Sequence, residues 1–146
     1  MTSKWMSLAL TQAEEAAKRG EVPVGAVLVH NGKVITAAGN RSEELFDPTA
    51  HAEILVIREA ARILGTPRPG GDLYVTLEPC PMCAAALSFA RVERVFFGAF
   101  DPKGGGIDHG PRIFDQHTCH HRPQVSGGLS EQVCSELMRE LIKGKR

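Results

Sequence analysis

The chain has 146 residues, 42% hydrophobic and 23% charged, which suits one domain with a single substantial core and argues against disorder. Seventeen basic residues balance seventeen acidic ones, so no whole-molecule field draws the chain to nucleic acid, and only a local basic patch could do so. No run approaches the roughly 18–20 apolar residues of a membrane helix, and Met1 to Arg19 lacks the apolar block of a secretory signal, so a cytoplasmic protein folded as one domain over residues 1–146 is expected.

Trp5, Leu8, Ala9, Ala13 and Ala16 recur at helical spacing, and Lys18-Arg19-Gly20 reads as the end of that helix. Val24 to His30 and Lys33 to Ala38 flank Asn31-Gly32, the strongest short hairpin signal. Ala50, Ile54, Ile57, Ala61 and Leu64 form a second helical stripe, stopped by Gly65 and then Pro67. Leu73 to Leu77 suits a buried strand. Pro81 can open a helix at its first position, with Met82, Ala85, Ala86, Phe89 and Ala90 expected on the inner face. Val95 to Gly98 reads as another buried strand, and the glycines between residues 101 and 112 predict a loop. Ser130 to Lys143 is helical, with Val133, Leu137, Leu141 and Met138 facing inward and Cys134 in the core. Strands alternating with helices predict a three-layer α/β domain with a partly parallel sheet.

The chemistry concentrates in two segments, Asp47-Pro48-Thr49-Ala50-His51-Ala52-Glu53 and Thr76-Leu77-Glu78-Pro79-Cys80-Pro81-Met82-Cys83. If Pro81 is the first helical residue, Cys80 is the cap and Cys83 lies one turn on, so both sulfurs can reach one point. A helix N-terminus favours the thiolate, and thiolate with imidazole suits zinc. Three protein ligands leave a fourth position open, which leans towards catalysis rather than a structural site. Glu53 would diverge from His51 in mid-helix, but at a helix start its long side chain can reach the same point. A dithiol redox protein would also use Cys80 and Cys83, yet it leaves His51 and Glu53 without a role. A purely structural zinc module lacks a fourth ligand in register. Cys119-His120-His121 has no matching partner pair for a second metal site.

Taken together, the two segments resemble the cytidine and deoxycytidylate deaminase superfamily, and within it most closely the bacterial tRNA-specific adenosine deaminases. Glu21-Val22-Pro23-Val24-Gly25-Ala26-Val27-Leu28-Val29, Asn40-Arg41, Leu73 to Pro79 and Asp101-Pro102-Lys103 carry the resemblance further. It implies an α/β/α domain with a mixed five-stranded sheet, one zinc per chain at His51, Cys80 and Cys83, and a homodimer. It also implies adenosine-to-inosine conversion at the wobble position of a tRNA anticodon loop, the base being splayed into a pocket. Glu53 would shuttle protons during attack of activated water at C6. Asn40 and the Ala52 backbone N–H would hold the base, with Val22 and Pro79 also at the substrate. The alternative substrate is a free nucleobase or nucleoside, guanine or cytosine among them. Met82, Leu87 and Phe89, more apolar surface than one inner face needs, fit the homodimer.

Two departures from the family pattern bear on RNA. Leu141 and Ile142 stand where the family carries adjacent aromatics, and base stacking on an aromatic is worth about 1–3 kcal/mol. Weaker and more salt-sensitive RNA binding is expected, partly offset by phosphate contacts from Lys143, Lys145 and Arg146. The stretch Gly104-Gly105-Gly106-Ile107-Asp108-His109-Gly110 also differs from the family's small-residue loop.

Overall fold

The computed structural model describes the backbone of residues 3–142 and the side chains of residues 3–140. Helix α1 (Lys4–Lys18) is followed by strands β1 (Gly25–His30) and β2 (Lys33–Gly39) and by helix α2 (Ala52–Leu64). Strand β3 (Asp72–Leu77), helix α3 (Pro81–Phe89), strand β4 (Arg94–Ala99) and a 3-10 turn (Ile113–Asp115) come next. Strand β5 (Gln124–Gly127) and helix α4 (Glu131–Ile142) complete the order. Asn31 and Gly32 both take positive φ, 52° and 74°, as the predicted two-residue hairpin turn requires.

The five strands form one mixed sheet in the order β2-β1-β3-β4-β5. β1 runs antiparallel to β2 and β3, while β3–β4 and β4–β5 pair in parallel, the first of these through the α3 crossover. α1 and α4 cover one face, α2 and α3 the other. Interior strand β1 is therefore buried on both sides: Val27 and Val29 join Met6, Ala9 and Leu10 in one core cluster. Ala26 and Leu28 join Val56, Leu73, Leu87 and Phe97 in the other. Each such large apolar side chain taken fully from water contributes about 1.5–3 kcal/mol. Among the described residues, no helix is long and apolar enough to cross a membrane.

The predicted architecture holds, but several helix faces are rotated from the sequence reading. In α1, Met6 and Leu10 are buried with Ala9, Ala13 and Ala16, while Leu8 is exposed. In α2 the buried stripe is Ala52, Glu53, Val56 and Ala60; Ile54, Ile57 and Ala61 flank it and Leu64 is exposed. In α3, Cys83, Ala84, Leu87 and Ser88 point inward and Phe89 is 71% exposed. Nearly every position of α3 is small or apolar, so periodicity gives the stripe no phase; the inward turn of Cys83 sets it. Leu87 thereby belongs to the core and is not surplus surface. In α4 Cys134 is buried as expected but Val133 is exposed. Strand β5 carries no sequence signal: its four residues are all exposed at the sheet edge and show no apolar alternation.

Candidate active site

Two helix N-termini meet at one point, and in each the capping residue keeps its side chain free. His51 is the N-cap of α2 and Cys80 the N-cap of α3, and neither makes a side-chain capping bond. Asn40, at the end of β2, does that work for α2: its Oδ1 accepts the Ala52 N–H at 2.8 Å. Pro81 at the first position of α3 has no N–H to satisfy. The imidazole and thiol so released converge, with His51 Nδ1 lying 3.6 Å from Cys80 Sγ and 3.5 Å from Cys83 Sγ.

These distances are those of a shared cation. Nitrogen and sulfur bound tetrahedrally to zinc at about 2.0 and 2.3 Å would lie roughly 3.5 Å apart. The donor set is one imidazole and two sulfurs within 4.8 Å of one another, and among the described residues it is the only grouping of three or more His, Cys, Asp or Glu side chains able to hold a metal. One borderline nitrogen and two soft sulfurs suit zinc far better than calcium or magnesium. With the protein groups alone, the neighbouring Cys83 thiol holds Cys80 down at about 4 against burial, while Cys80 and burial raise Cys83. The Cys80 sulfur in turn raises His51 above the usual imidazole value, against the opposing effect of burial.

Glu53, in the first turn of α2, is 4% exposed. Burial pushes its carboxyl up to about 7, and the nearby Cys80 sulfur adds to the rise. A carboxyl balanced there at neutral pH can both take and give a proton. It borders a cavity of about 240 Å³ lined by Val22, Val24, Asn40, His51, Leu77 and Asp101 among others. A second cavity of about 410 Å³ shares Val22, Leu77 and Asp101 with it and runs on to Phe100, Met138 and Arg139 of α4.

Asn40 and Val22 thus both line the cavity, and with Oδ1 engaged Asn40 keeps its amide N–H donors for a ligand. The Ala52 N–H donates to Asn40 Oδ1 and so fixes that side chain. Pro79, between cavity-lining Glu78 and Cys80, is buried, and its carbonyl accepts the Gly106 N–H at 2.8 Å. The Leu141 and Ile142 side chains, and Lys143, Lys145 and Arg146, lie outside the described residues. Cys119 and His121 are engaged in local hydrogen bonds: Cys119 Sγ and Ser88 Oγ donate to the His121 carbonyl at 3.1 and 2.6 Å, and His121 Nε2 lies 2.6 Å from the Val92 carbonyl.

Two residues that frame the site had no role in the sequence reading. The Glu21 carboxylate, 1% exposed, accepts the N–H groups of Glu43 and Glu44 at 3.0 and 2.8 Å and so ties down the loop after Asn40. Glu78, 2% exposed, does the same for the loop after Asp101. Burial alone would raise Glu78, but donors from Asp101, His109, Ile107 and Asp108 outweigh it and hold the carboxyl below its ordinary value. The available signal was a glutamate set in an apolar strand end beside proline, in Glu21-Val22-Pro23 and Leu77-Glu78-Pro79.

Residues 1–99 match the family described as the cytidine and deoxycytidylate deaminase zinc-binding region. The tRNA-specific adenosine deaminase of Agrobacterium fabrum (strain C58) is 57% identical over 143 residues, covering 97% of this chain and 94% of that protein. The protein of the same description from Bacillus subtilis (strain 168) is 48% identical over 147 residues, covering 97% and 91%. A solved structure from work on A-to-I editing by tRNA:A34 deaminases at the wobble position of transfer RNA superimposes with a TM-score of 0.90 at 58% identity, covering 91% of this chain and 97% of that one.

Proposed function

This chain belongs to the cytidine and deoxycytidylate deaminase family, and from that premise we propose that it hydrolyses adenosine to inosine at the wobble position of a tRNA anticodon. The observation that carries the chemistry is the placement of buried Glu53 beside the His51, Cys80 and Cys83 cluster in one small cavity. The tRNA substrate rests on near-full-length identity to tRNA-specific adenosine deaminases. Zinc is the implied cofactor, one ion per chain in this reading, held by His51, Cys80 and Cys83.

When bound, zinc supplies Lewis acidity that lowers the pKa of a water molecule to about 7. The chain's own residues do the rest. The cavity admits one planar base, and Asn40, fixed by the Ala52 N–H, presents its amide to the base edge. Val22 gives the ring an apolar wall. Glu53 takes the proton that water loses, holds it on a carboxyl poised near neutrality, and delivers it to the adenine ring nitrogen. It then carries the water's second proton to the departing amine. The water oxygen adds to C6 as the ring nitrogen is protonated, and the C6–N bond then breaks as that oxygen becomes the C6 carbonyl, releasing ammonia.

A deaminase of free bases would use the same centre, so substrate is decided by assay. Inosine formation and ammonia release are measured on an anticodon stem-loop with wobble adenosine, beside adenine, guanine and cytosine. Turnover of the stem-loop with the free bases unconsumed is expected. Rapid use of a free base beside an inert stem-loop would end the tRNA reading.

The remaining elements of the reading are a single catalytic unit over residues 1–146, cytoplasmic like its tRNA substrate, and paired as a homodimer. Phe89 stands 71% exposed on the helix that carries both cysteines. It borders a cavity of about 340 Å³ with Ala85 and Ile113, an apolar surface suited to a second copy. Light scattering at micromolar concentration is expected to give the mass of two chains, and a clean monomer would refute the pairing.

A further inference from the structure

We propose that Glu78 and His109 form a clasp that holds residues 101–109 as the substrate-facing wall of the cavity, making both of them positioning residues for the reaction. This rests on the deaminase reading above. Glu78 neither belongs to the metal cluster nor moves protons, yet its carboxylate is saturated with donors. Oε1 accepts the Asp101 N–H at 3.0 Å and lies 2.8 Å from His109 Nδ1. Oε2 accepts the N–H groups of Ile107, Asp108 and His109 at 3.2, 2.9 and 3.1 Å. A buried carboxylate would be costly without such partners, so its retention and the fold of the loop are one fact.

The glycines show how closely the loop is laid down. A Cβ on Gly105 would come within 2.3 Å of Glu78 Oε2, and one on Gly106 within 2.5 Å of the Pro81 nitrogen. The clasp gathers both ends of the loop onto one carboxylate, Asp101 at its start and residues 107–109 at its end. The His109 ring also stands edge-on to Phe100, with centroids 6.2 Å apart. Between those anchors the loop offers Asp101 and Gly104 to the catalytic cavity, and Phe100 and Asp101 line the adjoining one. A wall held before substrate arrives does not have to be ordered during binding, which lowers the cost of each encounter.

His109 is the position to test, because its side chain is 34% exposed and can be changed without opening the core. In His109→Leu the zinc content should stay at the wild-type value while KM for the stem-loop rises about tenfold and kcat moves little. His109→Asn, whose amide N–H can occupy the place of Nδ1, should recover most of the loss. Hydrogen exchange read by mass spectrometry should quicken in peptides covering residues 101–109 in the leucine variant and return towards normal in the asparagine variant. Unchanged exchange, or quickened exchange with KM unmoved, overturns the clasp. A wild type that ignores the stem-loop overturns the functional reading instead, while the exchange comparison still decides the clasp.

Discussion

Glu53→Gln is expected to fold and keep its metal while losing turnover by more than the roughly 10²–10⁴-fold that a single general acid–base group supplies. The substitution preserves size and shape at a side chain that is 4% exposed, so the buried face of α2 is left intact. What it removes is the ability to bind and release a proton. In the proposed reaction one carboxyl serves every transfer: it receives from water, gives to the ring and gives again to the leaving amine. An amide can do none of these, and the other carboxyls on the cavity wall are already engaged: Asp101 Oδ1 accepts the Lys103 and Gly104 N–H groups at 3.3 and 2.9 Å. Glu78, the other buried acid bordering the cavity, is occupied by Asp101, Ile107, Asp108 and His109 and held ionised below its ordinary range. Single-turnover conversion of the stem-loop, with zinc measured on the same preparation, gives the answer. Turnover within tenfold of wild type would mean that Glu53 is not the proton carrier.

Most elements, and the meeting of His51, Cys80 and Cys83, were legible in the sequence because they depend on local rules. Asn31-Gly32 fixes a hairpin by its own turn preference, and Pro81 after Cys80 fixes where α3 begins. Once α3 begins there, Cys83 one turn on has to come back towards Cys80, whatever the rest of the chain does. The ring of residues supporting those ligands was less legible, since each acts across long separations. Asn40 reaches 12 residues forward to cap α2, and Glu78 reaches across about 30 residues to gather the loop ending at His109. Neither pairing leaves a spacing to read. The misjudged helix faces share another cause: α3 is apolar nearly all round, and one-sided periodicity cannot choose among apolar positions. β5 was missed at the opposite extreme, a strand made by pairing with β4 and not by any pattern of its own.

Cys83→Ser is expected to lose the metal, and with it both activity and stability. Cys83 is fully buried, its sulfur 3.5 Å from His51 Nδ1, so no outside group can take its place. Serine offers a harder, shorter donor that must shed a far more tightly held proton to ligate, and the two remaining ligands make a weak site for zinc. A ligand bound only by the folded state stabilises it by about 4 kcal/mol at a thousand times its dissociation constant. Each kcal/mol lost lowers Tm by about 2–4 °C in a chain near this size, so a fall of order 10 °C is expected. Metal analysis should drop from near one zinc per chain to a small fraction. Cys119→Ser is the matched control: its sulfur contacts Ser88 and the His121 carbonyl and is not part of the cluster, and zinc should be retained in full. Stripping wild type with a chelator should reproduce the Cys83→Ser melting temperature, because both then lack the same bound ion. A Cys83→Ser protein with full zinc, or a chelated wild type that melts unchanged, would show that this cysteine does not hold the metal or that the metal does not hold the two helix N-termini together.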